Sequence, residues 1–119
     1  MSAQPGMVLI VDDDAGVSRA LARVVRSMGF AVATFETGEA LLGGRVSGGP
    51  AVLLLDLHLP GLSGAELISV LCTRDPEIRI IVMTGRDVDD AREACLLAGA
   101  TAFIRKPVAR SLLEDLLSV

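Results

Sequence analysis

Short apolar runs alternate with amphipathic stretches along the whole chain. "MVLIV", Met7 to Val11, is a buried-strand type of run. The stretch that follows, "AGVSRALARVVRSMG", places Val17, Leu21, Val24, Val25 and Met28 at helical spacing and keeps Arg19, Arg23 and Arg26 off that stripe. Asp14 is its candidate N-cap and Gly29 its candidate stop. "FAVATF" reads as a second, weaker strand and "GEALLGG" as a short helix, followed by a surface loop within Gly43 to Pro50. Ala51 to Leu55 is a third strand, and "GAELISVLCT" is a helix that closes before Pro76. Ile78 to Met83 is a fourth strand. "VDDAREACLLAG" is a helix with Asp87 as candidate cap, Asp89 and Asp90 at the positive end of its dipole, and Gly99 at its end. "TAFI" is the fifth strand, and "ARSLLEDLLSV" is the last helix, striped by Leu112, Leu113, Leu116 and Leu117. Continuous apolar strands alternating with amphipathic helices predict a parallel sheet covered on both faces. Five such units suit the doubly wound strand order 2-1-3-4-5.

Composition narrows this picture. At 119 residues the chain holds one domain with one core, and at 51% apolar but 3% aromatic that core is aliphatic. A net charge of -4 argues against direct binding to a nucleic-acid backbone. Cys72 and Cys95 lack metal-ligand spacing, which fits free thiols in a reducing compartment. No run reaches the ~18 apolar residues of a membrane span, and "MSAQPG" does not begin a signal peptide. A cytoplasmic location without membrane contact is the expectation.

The polar residues then fall where the topology matters. The first strand runs into Asp12 and Asp13, the third into Asp56, the fourth into Thr84, and the fifth into Lys106 and Pro107. In a parallel sheet all these strand ends share one edge, where folds of this kind bind ligands. Three converging carboxylates repel one another unless a cation joins them, and an all-oxygen set selects a hard ion such as Mg²⁺. Thr84 and Lys106 add a hydroxyl and an ammonium suited to phosphoryl oxygens. An aspartate can accept a phosphoryl group as an acyl phosphate, and Asp56, in the middle of the predicted sheet, is best placed to do so.

The stretches "VLIVDDDAGVSRAL", "LLLDLHLPGLSGAEL", "IIVMTG" and "GATAFIRKPV" occur in order and together span nearly the whole chain. With them the sequence resembles a response-regulator receiver domain of two-component signalling, most like the FixJ and NarL type. The resemblance implies a flavodoxin-like (βα)5 fold and one receiver domain over residues 1–119, with no output domain in this chain. It also implies Asp56 as phosphoacceptor, and Asp12, Asp13, Asp56 and the backbone carbonyl of His58 as Mg²⁺ ligands. Thr84 would be the switch hydroxyl, Lys106 the counter-charge, Pro107 a turn-fixing residue and Phe103 the switch aromatic. His58 and Arg86 would border the site mouth and modulate loss of the phosphoryl group, with Arg86 restricting attacking water. The implied donor is a sensor histidine kinase or phosphotransfer protein. The implied output surface is formed by the fourth helix, fifth strand and fifth helix, supports a homodimer on phosphorylation, and controls a transcriptional output domain.

Other readings weigh differently. Asp12 to Asp14 alone also read as helix caps, Thr84 before Gly85 as turn chemistry, Phe103 and Met83 as core, and His58 as a surface side chain. A haloacid-dehalogenase-type phosphatase needs a second aspartate where His58 stands, so steady turnover is not expected. A nucleotide or flavin carrier lacks a glycine-rich loop after the first strand. A phosphorylation-independent binding module of receiver fold is the remaining alternative, and the complete acid set with Thr84 and Lys106 counts against it.

Overall fold

The computed structural model describes residues 6–44, 51–58, 63–85 and 89–117. Five strands and five helices alternate: β1 (Met7–Val11), α1 (Ala15–Ser27), β2 (Ala31–Phe35), α2 (Gly38–Gly43), β3 (Ala51–Asp56), α3 (Gly64–Arg74), β4 (Arg79–Thr84), α4 (Asp89–Ala98), β5 (Ala102–Arg105) and α5 (Arg110–Leu117). The strands form one parallel sheet in the order β2-β1-β3-β4-β5. This is the flavodoxin-like arrangement expected from the sequence.

Successive strand residues point to opposite faces, and the core divides accordingly. Val8, Ile10, Val52, Leu54, Ile81 and Met83 meet Leu21 and Val25 of α1 and Leu113 and Leu117 of α5. Leu9, Val11, Leu53, Leu55, Ile80 and Val82 meet Leu41 of α2, Leu67, Ile68 and Leu71 of α3, and Cys95 of α4. Both cysteines are free thiols, Cys95 buried and Cys72 partly buried. No helix among the described residues is long and apolar enough to cross a membrane.

Several boundaries differ from the sequence reading. β3 continues through Asp56, which pairs in register with Met83, and β4 continues through Thr84, which pairs with Arg105. The hydrophobic pattern stops earlier than the ladder because backbone hydrogen bonding does not depend on side-chain polarity. Ile78 is held in a turn by its N–H donating to Asp75 O at 3.1 Å, so β4 begins one residue later than expected. On α5 the apolar stripe is narrower than four leucines: Leu113 is 1% exposed but Leu112 is 36% exposed.

Local signals place the helices. Asp14 caps α1, its Oδ1 accepting from the N–H groups of Gly16 at 2.9 Å and Val17 at 3.1 Å. α1 and α4 are followed by Gly29 at φ 97° and Gly99 at φ 123°, a left-handed region that side chains with a Cβ avoid. Asp87 and most of the Gly43–Pro50 loop lie outside the described residues.

Candidate functional site

The ladder does not end with the strands, and its continuation fixes the carboxyl edge. The N–H of Asp12 donates to Phe35 O at 3.1 Å, that of Leu57 to Met83 O at 2.9 Å, and that of Lys106 to Thr84 O at 2.7 Å. Each of these residues, or its neighbour, carries a polar side chain of the site. Asp12 is 1% exposed, Asp56 5% and Thr84 0%, whereas Asp13 is exposed.

Two buried carboxylates need partners, and they have them. Asp12 Oδ1 accepts from the Asp14 N–H at 2.9 Å, and Asp12 Oδ2 from Lys106 Nζ at 2.7 Å. Lys106 Nζ also lies 3.5 Å from Asp56 Oδ1, which accepts from the His58 N–H at 3.2 Å. The single ammonium thus reaches from the end of β5 to the ends of β1 and β3. Burial pulls its pKa down, but the hydrogen bond it donates to Asp12 and the charges of Asp56 and Asp12 outweigh this and hold it above the ordinary lysine value. Among the described residues no buried side-chain nitrogen or oxygen lacks a partner.

Asp12, Asp13 and Asp56 each bring one carboxylate oxygen within 4.8 Å of the others. An octahedral Mg²⁺ at about 2.1 Å from each ligand sets neighbouring oxygens roughly 3 Å apart and opposite ones roughly 4 Å apart. Oxygens within 4.8 Å of one another are near that size, and hard oxygen donors without sulfur or imidazole match such an ion.

Thr84 Oγ1 lies 3.0 Å from His58 Nε2. The sequence reading took His58 as a surface side chain lending its carbonyl. The residue is exposed, but its ring reaches over to the end of the neighbouring strand. Phe103 is partly buried and packs on the α3 and α4 side of the sheet, the side to which Val82 also points. Arg86 lies outside the described residues. Beside Lys106 an apolar groove of about 400 Å³ runs between α1 and the start of α5, lined by Val17, Leu21, Val24, Pro107 and Val108.

Comparison with known proteins finds the same five-stranded doubly wound fold. The response regulator receiver domain family matches residues 8–118. This chain belongs to that family. It is 35% identical over 104 residues to the DNA-binding transcriptional regulator NtrC of Salmonella typhimurium, covering 87% of this chain and 22% of NtrC. It is 36% identical over 100 residues to the transcriptional regulatory protein PrrA of Mycobacterium tuberculosis, covering 84% of this chain and 43% of PrrA. The chain therefore spans less than half the length of these relatives. Among solved structures it resembles a CheY-like receiver domain protein from Methanospirillum hungatei at TM-score 0.83 and 28% identity, over 94% of this chain and 90% of that one. The beryllofluoride-activated DrrB receiver domain matches with TM-score 0.83 and 27% identity, over 93% and 92% of the two chains. These relatives establish the receiver family. The chain is a receiver domain of a two-component response regulator, a signalling module.

Proposed function

We propose that this receiver takes a phosphoryl group onto Asp56 from a sensor histidine kinase or phosphotransfer protein, in a Mg²⁺-dependent reaction. The observation that carries the reading is the Asp56 carboxylate itself, buried at the end of a central strand, with Lys106 Nζ at 3.5 Å and two further acids beside it. Asp12, Asp13, Asp56 and the carbonyl of His58 would hold the cation. Bound there, Mg²⁺ would neutralise the phosphoryl oxygens and let a carboxylate approach an anionic donor.

This chain's residues do the rest. An Asp56 carboxylate oxygen forms the new bond to phosphorus as the bond from phosphorus to the donor's imidazole nitrogen breaks, and that nitrogen leaves with the bonding pair. Lys106 supplies a fixed positive charge where negative charge gathers on the transferring group. The Thr84 hydroxyl then donates to a phosphoryl oxygen. Thr84 follows Ile80 and Val82 in strand alternation, so it shares a side of the sheet with Phe103, and the two form the switch. Pro107 helps fix the turn that presents Lys106. The apolar groove beside Lys106 offers the donor contact area on the same edge.

The output surface is the α4–β5–α5 face, where Leu97 is 80% and Leu96 40% exposed. It supports a homodimer on phosphorylation and controls a transcriptional output domain, in a cytoplasmic protein that hydrolyses its own acyl phosphate slowly and does not turn over external substrate. This domain makes no direct contact with nucleic acid or membrane. Arg86 and His58 modulate the lifetime of the phosphoryl group.

Intact mass after incubation with acetyl phosphate tests this. One added phosphoryl group, dependent on Mg²⁺ and absent in Asp56→Asn, is the expected result. No gain, together with no binding of beryllofluoride, contradicts it and favours the phosphorylation-independent binding module.

A further inference from the structure

His58 makes two contacts with different consequences. Its backbone N–H donates to Asp56 Oδ1 at 3.2 Å, an Asx-type turn that shapes the start of the β3–α3 connection. Its imidazole Nε2 lies 3.0 Å from Thr84 Oγ1. Asp56 and Thr84 stand at the ends of adjacent strands, and Asp56 pairs with Met83, the residue before Thr84. A residue two positions beyond Asp56 with a side chain of imidazole length is therefore able to span to β4. The contact joins an exposed ring to a fully buried hydroxyl. Either neutral tautomer can make it, with Nε2 accepting from the hydroxyl or donating to it.

We propose that His58 is a positioning residue that holds the Thr84 hydroxyl in the unphosphorylated domain. On this proposal Thr84 exchanges this bond for one to a phosphoryl group on Asp56. The proposal rests on the phosphoacceptor reading and deepens it: the resting state carries a hydrogen bond that the phosphorylated state forgoes. His58 then sets the resting balance between the two positions of Thr84, a role separate from any effect on attacking water. A ligand shifts such a balance only by its differential affinity, so removing a bond present in one state alone changes the apparent affinity for the ligand that selects the other.

The test uses beryllofluoride, which stands in for the phosphoryl group on the aspartate, titrated at saturating Mg²⁺. Replacing His58→Ala is expected to tighten binding about three- to tenfold, the range of one net hydrogen bond. His58→Phe, which keeps a ring but no nitrogen, should tighten it similarly. In a Thr84→Val background, which keeps volume but lacks the hydroxyl, the His58→Ala change should shrink to less than about twofold. An equal change in both backgrounds overturns the proposal, because His58 then acts on the ligand directly. So does unchanged or weakened binding in His58→Ala alone. A second readout needs neither metal nor ligand: the side-chain ¹⁵N resonance of His58 Nε2 in the free protein. It should move in Thr84→Val, and a resonance that stays in place overturns the proposal. A wild type that binds no beryllofluoride under any condition overturns the phosphoacceptor reading instead, and that failure is visible before any variant is compared.

Discussion

Leu53, Leu54 and Leu55 are each 0% exposed, and Asp56, the next residue in the same strand, is 5% exposed. All four are buried to nearly the same degree, yet burial asks different things of them. The leucines are held by shape alone, packed alternately against the α1/α5 side and the α2/α3/α4 side. The aspartate tolerates burial because an ammonium just beyond β5 and an N–H from its own turn answer its charge. The body of the sheet is thus an apolar scaffold in which each residue acts locally. Its carboxyl edge is a network in which each residue depends on residues far away in sequence: Asp12 and Lys106 are 94 positions apart.

That difference can be sharpened by substitution. The largest stability loss should come from the body. Leu54→Ala removes a wholly buried side chain and should cost about 2–5 kcal/mol in urea unfolding, unaffected by Mg²⁺. At the edge, Lys106→Met leaves Asp12 and Asp56 without their shared cation. It should cost about 1–3 kcal/mol without divalent ions, with part of that recovered when Mg²⁺ is added. Recovery of Leu54→Ala by Mg²⁺, or none of Lys106→Met, would break the comparison.

The same lysine predicts an alkaline signature. Its folded-state pKa lies above the ordinary value, so its stabilising contribution is complete below the unfolded lysine pKa and is lost as pH rises through the raised folded value. Wild type should therefore lose more stability than Lys106→Met between those two values, measured as the difference between their unfolding midpoints. Asp14→Ala removes a cap outside the cation network and should cost about 1 kcal/mol, with no change in phosphoryl uptake. The smallest effect on stability belongs to the proposed phosphoacceptor. Asp56→Asn keeps the 2.7 Å Lys106–Asp12 pair and relieves one carboxylate of the cluster, so its unfolding free energy should stay within about 1 kcal/mol of wild type.

The contrast also explains what the sequence could reveal. Periodicity located all five strands and five helices because apolar burial is a local, repetitive signal, and the order 2-1-3-4-5 was the doubly wound order that suits five such units. Leu112 was misplaced in the buried stripe because four leucines at helical spacing do not say how wide the covering surface is. Asp12, Asp13, Asp56, Thr84 and Lys106 could be placed together because a parallel sheet gathers its strand ends on one edge. The bonds among them could not be read. Lys106 choosing Asp12 at 2.7 Å over Asp56 at 3.5 Å depends on side-chain geometry. The His58–Thr84 contact links positions 26 apart, and its only sequence sign is a long polar side chain two residues beyond the aspartate.

The central claim is that the edge concentrates chemistry on one carboxylate, and the most direct measurement locates the label. After phosphorylation with acetyl phosphate and Mg²⁺, borohydride reduces an aspartyl phosphate to homoserine, and peptide mass mapping identifies the converted residue. The account predicts conversion at Asp56 alone. Conversion at Asp12 or Asp13, or a phosphoryl group retained on His58, would contradict it.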